Sequence, residues 1–136
     1  MPRASQFKPH LSVDPVFEGR ALCITASGEQ SGVQEVILKQ KLTRFLLERG
    51  CPALLCDLRD ARYRSLNGVE ERLASLAASF PPGRVAIWHQ NEDGAALAVI
   101  VQGFSRAGHD TRAVTPLEAA QRHLCPPDTD PDTVYV

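Results

Sequence analysis

The sequence predicts an α/β fold: a single mixed β-sheet in which an N-terminal antiparallel hairpin precedes parallel strands, with about four helices. Two observations predict it. Short strand patterns come first, at "LSVDP" and "GRALCITAS". Helical patterns then alternate with continuous apolar runs such as "PALLCDL", which are typical of parallel strands covered on both faces. Right-handed crossovers between such strands place the helices against one sheet.

The elements of the first half follow from local signals. The turn material "DPVFEG" separates the two hairpin strands. A long helix is predicted from Val33 to Arg49, and Gly50 and Pro52 end it, because glycine suits the C-terminal cap and proline cannot continue the ladder. The apolar stripe of this helix consists of Leu38, Leu42, Phe45 and Leu46.

The second half repeats the alternation of helix and strand. A helix follows "PALLCDL", and its start is capped by Asn67 paired with Glu70, or by Ser65. "RVAIWHQ" and "DTRAV" are the next two strands, and Asp93 caps the helix between them. Thr115 caps the last helix, predicted from Pro116 to Leu124. The apolar stripe of the helix after "PALLCDL" consists of Leu66, Val69, Leu73, Leu76, Ala77 and Phe80.

Length and charge limit the function classes. A chain of 136 residues is most simply one domain: we expect a flexible segment 1–10, a folded domain 11–125 and a Pro/Asp-rich tail 126–136. The chain has 15 basic and 16 acidic side chains, so nothing steers it toward nucleic acid. The longest apolar stretch, "GAALAVIVQGF", is too short to span a bilayer, and no signal-peptide pattern opens the chain. We therefore expect a cytoplasmic protein without membrane insertion.

The four cysteines do not suggest a disulfide or a metal site. Cys51 and Cys56 are five positions apart on one extended segment, about 16 Å apart at 3.3 Å per residue, and cannot pair. We expect buried, reduced thiols that pack as small apolar side chains.

The stretch "CDLRDARYRSLNGVEERL" is the strongest candidate site. It lies where a parallel strand ends and a helix begins, and free backbone amides at a helix start favour an anion. Arginines could add charge-assisted hydrogen bonds, although nearby carboxylates balance their charge. The candidate loop for an anion or a partner consists of Asp57, Arg59, Arg62, Tyr63, Arg64, Ser65, Asn67 and Gly68.

A second candidate lies at the end of the next strand. Trp88, His89 and Asn91 leave that strand at the same edge of the sheet, and His89 could meet Asp57 or Tyr63 in a small polar pocket. A single histidine at a strand end more often makes one structural hydrogen bond, and Asp57 more often binds the amides that follow it. The sequence contains no phosphate-binding loop, nucleophile elbow or metal-ligand spacing, so we expect no cofactor and no metal.

In this order, the elements resemble a SpoIIAA-like (STAS-type) domain, the fold of bacterial anti-anti-sigma factors, and particularly its small stand-alone members of undefined function. The resemblance covers residues 11 to 125 and depends on "ITASGE", "PALLCDLRDARY", "RVAIWH" and "AVTPLEAAQRHL". It implies a regulatory domain that binds another protein.

The resemblance also implies where a phosphorylation switch would lie. In members that have the switch, an Asp-Ser pair begins the helix after this strand, and the serine is phosphorylated. Ser65 stands here at the position of the aspartate and Leu66 at that of the serine. We therefore expect a domain without the phosphoserine switch, although Ser65 itself could be modified.

Three functions remain open on the sequence. The first is a non-enzymatic regulatory domain that presents Arg59–Gly68 and its outer helix faces to a protein partner or to a second copy of itself. The second is a domain that binds a small molecule or lipid, because apolar residues of the helices after Ser31 and Asp93 could line a cavity of about 300 Å³ or more. The third is an enzyme that uses Asp57, His89 or a cysteine.

Overall fold

A computed structural model describes residues 10–30, 38–44, 53–63, 65–79, 81–90 and 94–126. The predicted flexible segment and the C-terminal tail lie almost entirely outside these ranges. So do Arg64, Phe80, Asn91, Asp93, Cys51 and both ends of the predicted Val33–Arg49 helix.

Five strands form one mixed sheet in the described part of the chain, in the order β1-β2-β3-β4-β5. The first two strands pair antiparallel, and β2, β3, β4 and β5 are parallel to one another, which confirms the predicted fold class. The strands are β1 His10–Val16, β2 Ala21–Glu29, β3 Ala53–Arg62, β4 Arg84–Trp88 and β5 Asp110–Val114.

Three helices cover one face of the sheet. They are α1, of which residues 38–44 are described, α2 (Val69–Ala77) and α3 (Gly94–Arg106). Because the parallel strands follow one another in order, right-handed crossovers place all three connecting helices on the same side. Their core contains the inward side chains Leu42, Leu73 and Phe104, packed on strand residues such as Ile24 and Leu54.

The opposite face of the sheet is covered by the last helix, α4 (Leu117–Leu124). Ala120 and Leu124 of this helix pack with Leu55, Ala86 and Val114 of the strands. Strands β3 and β4 are therefore buried on both faces, which explains why their sequences read as continuous apolar runs rather than as alternating patterns.

The hairpin turn is shorter than predicted. The sequence places Asp14 and Pro15 in both the strand "LSVDP" and the turn material "DPVFEG". In the structure they belong to β1, which continues to Val16. Proline is tolerated there because β1 is the edge strand and its outer N–H groups need no partner. The turn itself is Phe17–Arg20, in which Phe17, Glu18 and Gly19 all have positive φ.

Two predicted helix starts are also corrected. Helix α2 begins at Val69, with Gly68 as its N-cap in the left-handed region (φ 74°), and no side chain of Asn67 or Ser65 caps it. Helix α4 has Pro116 as its N-cap rather than as its first helical residue, and Thr115 supplies no cap bond. In both cases the backbone conformation of the residue before the helix determines the start.

Two buried histidines connect helices α2 and α4 to the amino ends of strands β4 and β5. His109 lies within hydrogen-bonding distance of the Gly83 amide through Nδ1 (3.1 Å) and of the Ala77 carbonyl through Nε2 (2.9 Å). His123 lies 2.8 Å from the Asp110 carbonyl through Nε2. Both histidines are structural residues that join helix ends to β4 and β5.

Candidate functional site at the carboxyl edge of the sheet

Asp57, Arg59 and Trp88 form a compact polar cluster at the carboxyl end of β4, where the pairing of β3 with β4 ends. Arg59 donates two side-chain hydrogen bonds to Asp57, from Nε to Oδ1 (2.9 Å) and from Nη2 to Oδ2 (3.0 Å). Its guanidinium carbon lies 3.5 Å from the centre of the Trp88 ring. The Asp57 side chain is 12% exposed and that of Arg59 is 37% exposed. The carboxylate is therefore nearly buried, whereas part of the guanidinium is accessible to solvent.

The electrostatics of this cluster favour a fixed cation. The hydrogen bonds with Asp57 raise the pKa of Arg59, so its guanidinium stays charged. Asp57 also accepts the backbone N–H of Arg59 at 3.3 Å, which is the bond to a following amide that the sequence predicts. Trp88 is anchored in turn, because its indole N–H donates to the Thr115 carbonyl at 2.9 Å. The arginine is thus held flat on an aromatic ring whose own position is fixed.

A β-bulge in β3 positions Arg59. Thr25 of β2 pairs with Asp57, and Ser27 pairs with Asp60, so Leu58 and Arg59 together face the single residue Ala26. A bulge of this kind turns the strand and redirects its side chains. The sequence prediction ended this strand at Leu58 and therefore placed Arg59 in a loop, whereas the structure continues β3 to Arg62.

Beyond the bulge, β2 and β3 form a two-stranded ribbon that extends past β4. Ser27–Glu29 pairs with Asp60–Arg62, and the Gln30 amide donates to the Arg62 carbonyl at 2.8 Å. The pairing of β3 with β4 ends at Asp57 and Trp88. We call this segment the projecting ribbon. Asp60 and Arg62 are exposed on it.

The rest of the predicted loop joins the ribbon to α2. Ser65 is exposed, and its hydroxyl accepts the Asn67 amide at 3.2 Å, which makes a local turn before the helix. Leu66 is half-buried and precedes α2, although the sequence assigned it to the helix stripe. Arg72 donates to the Asn67 carbonyl at 3.2 Å and lies over Gly68, where an added Cβ would meet its Nη1 at 2.8 Å.

Asp57 and Tyr63, which the sequence predicts as alternative partners of His89, lie in different surroundings. Asp57 is bound by Arg59 in the cluster beside Trp88, whereas Tyr63 packs against the core between the sheet and α1–α3. His89 is half-buried, and its backbone N–H donates to the Val114 carbonyl at 3.2 Å. A polar pocket shared by His89 with either residue stays a prediction.

An apolar cleft opens near the same edge, between the sheet and helices α1–α3. Its volume is about 50 Å³. The sequence predicts a cavity of about 300 Å³ or more lined by the helices after Ser31 and Asp93. Leu38, Ile100 and Phe104 of those helices line this cleft, which is smaller than predicted. Its lining consists of Leu11, Ile24, Ala26, Gln30, Leu38, Cys56, Leu58, Tyr63, Leu73, Ile100 and Phe104.

The thiols of the described cysteines are not arranged as nucleophiles. Cys23, Cys56 and Cys125 are free and buried, as predicted. Burial raises the pKa of Cys23 and raises that of Cys56 strongly, so both stay protonated at neutral pH. In the part of the chain that the structure describes, no group of three or more His, Cys, Asp or Glu side chains could hold a metal ion.

Among the described helices, none has the length and apolar character needed to cross a bilayer. At the carboxyl edge, the structure brings together the Arg59 guanidinium on the Trp88 ring and the exposed projecting ribbon.

Solved structures resemble this chain across most of its length. The anti-sigma factor antagonist SpoIIAA in its unphosphorylated form aligns with a TM-score of 0.52 and 14% identity, covering 83% of this chain and 95% of that one. The phosphorylated form of SpoIIAA, described as a Bacillus cell fate determinant, aligns with a TM-score of 0.51 and 18% identity, covering 83% and 98%.

Comparison by sequence adds nothing to this likeness. No protein-family model matches the chain. No curated protein matches it either. The strand order, the alternation of helices and the two alignments together show that this chain has the SpoIIAA-like, STAS-type fold.

Proposed function

We propose that this chain is a non-enzymatic regulatory domain that binds a protein partner through the carboxyl edge of its sheet. The contact surface is the projecting ribbon together with Arg59 and Trp88. The observation that carries the proposal is the Arg59 side chain, which Asp57 and Trp88 hold in one conformation with its outer side accessible.

The composition of this surface supports protein binding. Arginine and tryptophan are enriched among the residues that contribute most to protein interfaces. A side chain that is already immobilised loses little conformational entropy when a partner binds, so more of the contact energy appears as affinity. The ribbon adds exposed charges of both signs, from Asp60 and Arg62, which can select a partner by complementarity.

The likeness to SpoIIAA supports the same class of function. That protein is described as an anti-sigma factor antagonist, a role that requires contact with another protein. In this chain we propose that recognition does not depend on phosphorylation, because Leu66 occupies the position that the resemblance assigns to the modified serine.

The experiment compares capture of partners by the parent and by two ribbon variants from a lysate of the native host. Arg62→Glu reverses an exposed charge on the ribbon, and the double variant Asp57→Ala with Arg59→Ala removes the fixed cation without leaving a buried charge. Arg122→Glu, at the far end of α4, is the matched control. We expect a protein that the parent and the control retain and that both ribbon variants lose, with affinity confirmed by calorimetry on the purified pair.

Two results would contradict the proposal: retention of the same partner by the ribbon variants, or no partner in the lysate and no dimer of the chain in sedimentation at micromolar concentration. The intact mass of protein purified from its host tests the proposal that recognition does not depend on phosphorylation. A phosphate on Ser65 of the partner-bound fraction alone would show that recognition depends on phosphorylation after all.

A further inference from the structure

We propose that β5 pairs antiparallel with β5 of a second copy of this chain, so that the two sheets join into one continuous sheet. The surface consists of the outer edge of β5 and the side of α3 that lies next to it. It is separate from the projecting ribbon, because β4 lies between β5 and the two strands of the ribbon.

The outer backbone groups of β5 are directed away from the sheet. The N–H of Asp110 and the carbonyl of Val114 bond to the residues that flank β4, at 2.8 and 3.2 Å. Because the backbone groups of successive residues in a strand point to opposite sides, those of Thr111 and Ala113 point away from β4. Among the described strands, none pairs with this edge of β5.

The two edge strands of the sheet differ in their protection against pairing. An exposed strand edge is a template for a further strand, and proline or a bulge prevents this. Strand β1 contains Pro15. Strand β5 contains no proline, and its register with β4 is continuous from Asp110 to Val114. The edge at β5 is therefore the one that a second copy could extend.

The charges along β5 are complementary to themselves. Asp110 and Arg112 are exposed on the same face of the sheet, and neither forms an ion pair among the described residues. In an antiparallel pair centred on Thr111, Asp110 of each copy lies opposite Arg112 of the other. A register with Thr111 opposite Ala113 would instead place the two Arg112 side chains opposite each other. Charge therefore favours the register centred on Thr111.

Helix α3 supplies the rest of the surface. The five residues of β5 alone are too few for a stable interface, which buries about 1,200 Å² or more. Helix α3 packs on both β4 and β5, and its only polar residues are Gln102, Ser105 and Arg106. A helix that is apolar on nearly all sides is normally covered on nearly all sides. A second copy would provide that cover.

Leu97 and Val101 lie on the side of α3 that is next to the β5 edge. Gly103 faces α2, since a Cβ there would lie 2.8 Å from the Leu73 Cβ. At about 100° per residue, Val101 and Leu97 are about 160° and 120° around the helix from Gly103, so both point away from α2. Because α2 joins β3 to β4 and α3 joins β4 to β5, this direction leads to the β5 edge. Both side chains are half-buried and partly exposed there.

The spacing of the elements allows α3 to meet its copy. Neighbouring strands lie about 4.8 Å apart. A helix over the gap between β4 and β5 would therefore stand about 10 Å from its copy across the two-fold axis, a normal distance between packed helices. Leu97 and Val101 of both copies would lie between the two helices.

Sedimentation of the full chain across the micromolar concentration range is the first test. We expect the mass to rise from that of one chain to that of two. Asp110→Arg and Arg112→Asp should each weaken the dimer about tenfold, because two attractive pairs become repulsive. An equal mixture of these two variants should form dimers again, since each arginine of one variant then lies opposite an aspartate of the other.

Three further variants separate the β5 edge from other surfaces. Ala113→Pro removes an N–H that β4 does not use, so it should prevent the dimer while circular dichroism shows a folded chain. Asp14→Arg makes the same charge change at an exposed residue of the other edge strand and should leave the dimer unchanged. The ribbon variant Asp57→Ala with Arg59→Ala should also dimerise, which distinguishes failure of this inference from failure of the proposed function.

Several outcomes would overturn the proposal. A chain that stays monomeric at every concentration would exclude it. If the chain dimerised only after removal of residues 127–136, the β5 edge would belong to that segment rather than to a second copy. A dimer that persists in Asp110→Arg, Arg112→Asp and Ala113→Pro would lie on another surface, and a mixture of the two charge variants without dimers would exclude the register.

Discussion

At the scale of single residues, the Asp57–Arg59 ion pair is asymmetric: loss of Arg59 should destabilise the fold more than loss of Asp57. The carboxylate is almost buried, whereas more than a third of the arginine side chain remains in water. An unpaired charge costs most where water cannot reach it. The two halves of one ion pair should therefore respond differently to mutation.

Arg59→Ala should lower the free energy of unfolding by about 1–3 kcal/mol, because it leaves a nearly buried carboxylate with one backbone hydrogen bond. Asp57→Ala should cost about 1 kcal/mol or less, since the remaining arginine is largely solvated. The double variant should cost less than the sum of the two single variants. Urea titration of the four proteins measures this cycle, and additive effects would show that the pair contributes nothing to stability.

Thiol reactivity is a second residue-scale prediction. Cys51 lies outside the described residues, so the experiment uses the Cys51→Ser variant. Burial raises the pKa of Cys23 and Cys56, so the thiolate fraction at pH 8 falls below that of free cysteine. We expect no reaction of the native variant with a thiol reagent over minutes, and reaction of all three cysteines in urea. Rapid reaction of one native thiol would contradict the burial of that cysteine.

At the scale of elements, the sequence predicted the order of strands and helices but not all of their ends. The run "PALLCDL" identified β3, because seven successive residues with little polarity indicate burial on both faces. It could not indicate that β3 continues to Arg62, since the polar residues after Leu58 are held by pairing with β2 across a bulge. Pairing between distant segments leaves no local pattern in the sequence.

The starts of the helices, like the end of β3, could not be predicted from local sequence patterns. The spacing of Asn67 and Glu70 fits a capping box, but Gly68 begins α2 in a left-handed conformation that only glycine adopts readily. A Cβ on residue 68 would also lie 2.8 Å from Nη1 at the end of the Arg72 side chain. The spacing of polar residues alone cannot distinguish a helix start set by backbone conformation from one capped by a side chain.

Helices α2 and α3 approach each other closely at Gly103, which gives an element-scale prediction. A Cβ at this position would lie 2.8 Å from the Leu73 Cβ and 3.1 Å from the Glu70 carbonyl oxygen. Gly103→Ala should therefore lower the free energy of unfolding by about 1–3 kcal/mol, because the overpacking outweighs the gain in helix propensity. Thermal or urea unfolding measures the change.

Gly94→Ala is the matched control for this substitution. Gly94 begins the same helix, and a Cβ there would meet no atom within 4 Å among the described residues. We expect this variant to be as stable as the parent or slightly more stable. If Gly103→Ala were equally harmless, helices α2 and α3 could not be in the contact described.

At the scale of the whole molecule, the candidate site arises from topology rather than from any motif. Parallel strands bring their carboxyl ends to one edge, so the sequence could place Asp57 and Trp88 together. It could not show that Arg59 lies on Trp88, because that contact needs the bulge.

The two faces of the sheet belong to one cooperative unit, and this is the last prediction. The core under α1–α3 and the core under α4 share strands β3 and β4, whose residues alternate between the two faces. Unfolding of either core would expose one face of the same strands to water. We therefore expect both cores to unfold in a single transition.

Trp88, the one tryptophan in the chain, packs in the core under α4 and reports on that face by fluorescence. Far-UV circular dichroism reports on all the helices. The two signals should give the same urea midpoint in the parent, and Gly103→Ala, on the other face, should lower both midpoints equally. If the fluorescence midpoint did not change in this variant, α4 and its core would unfold independently of the core under α1–α3.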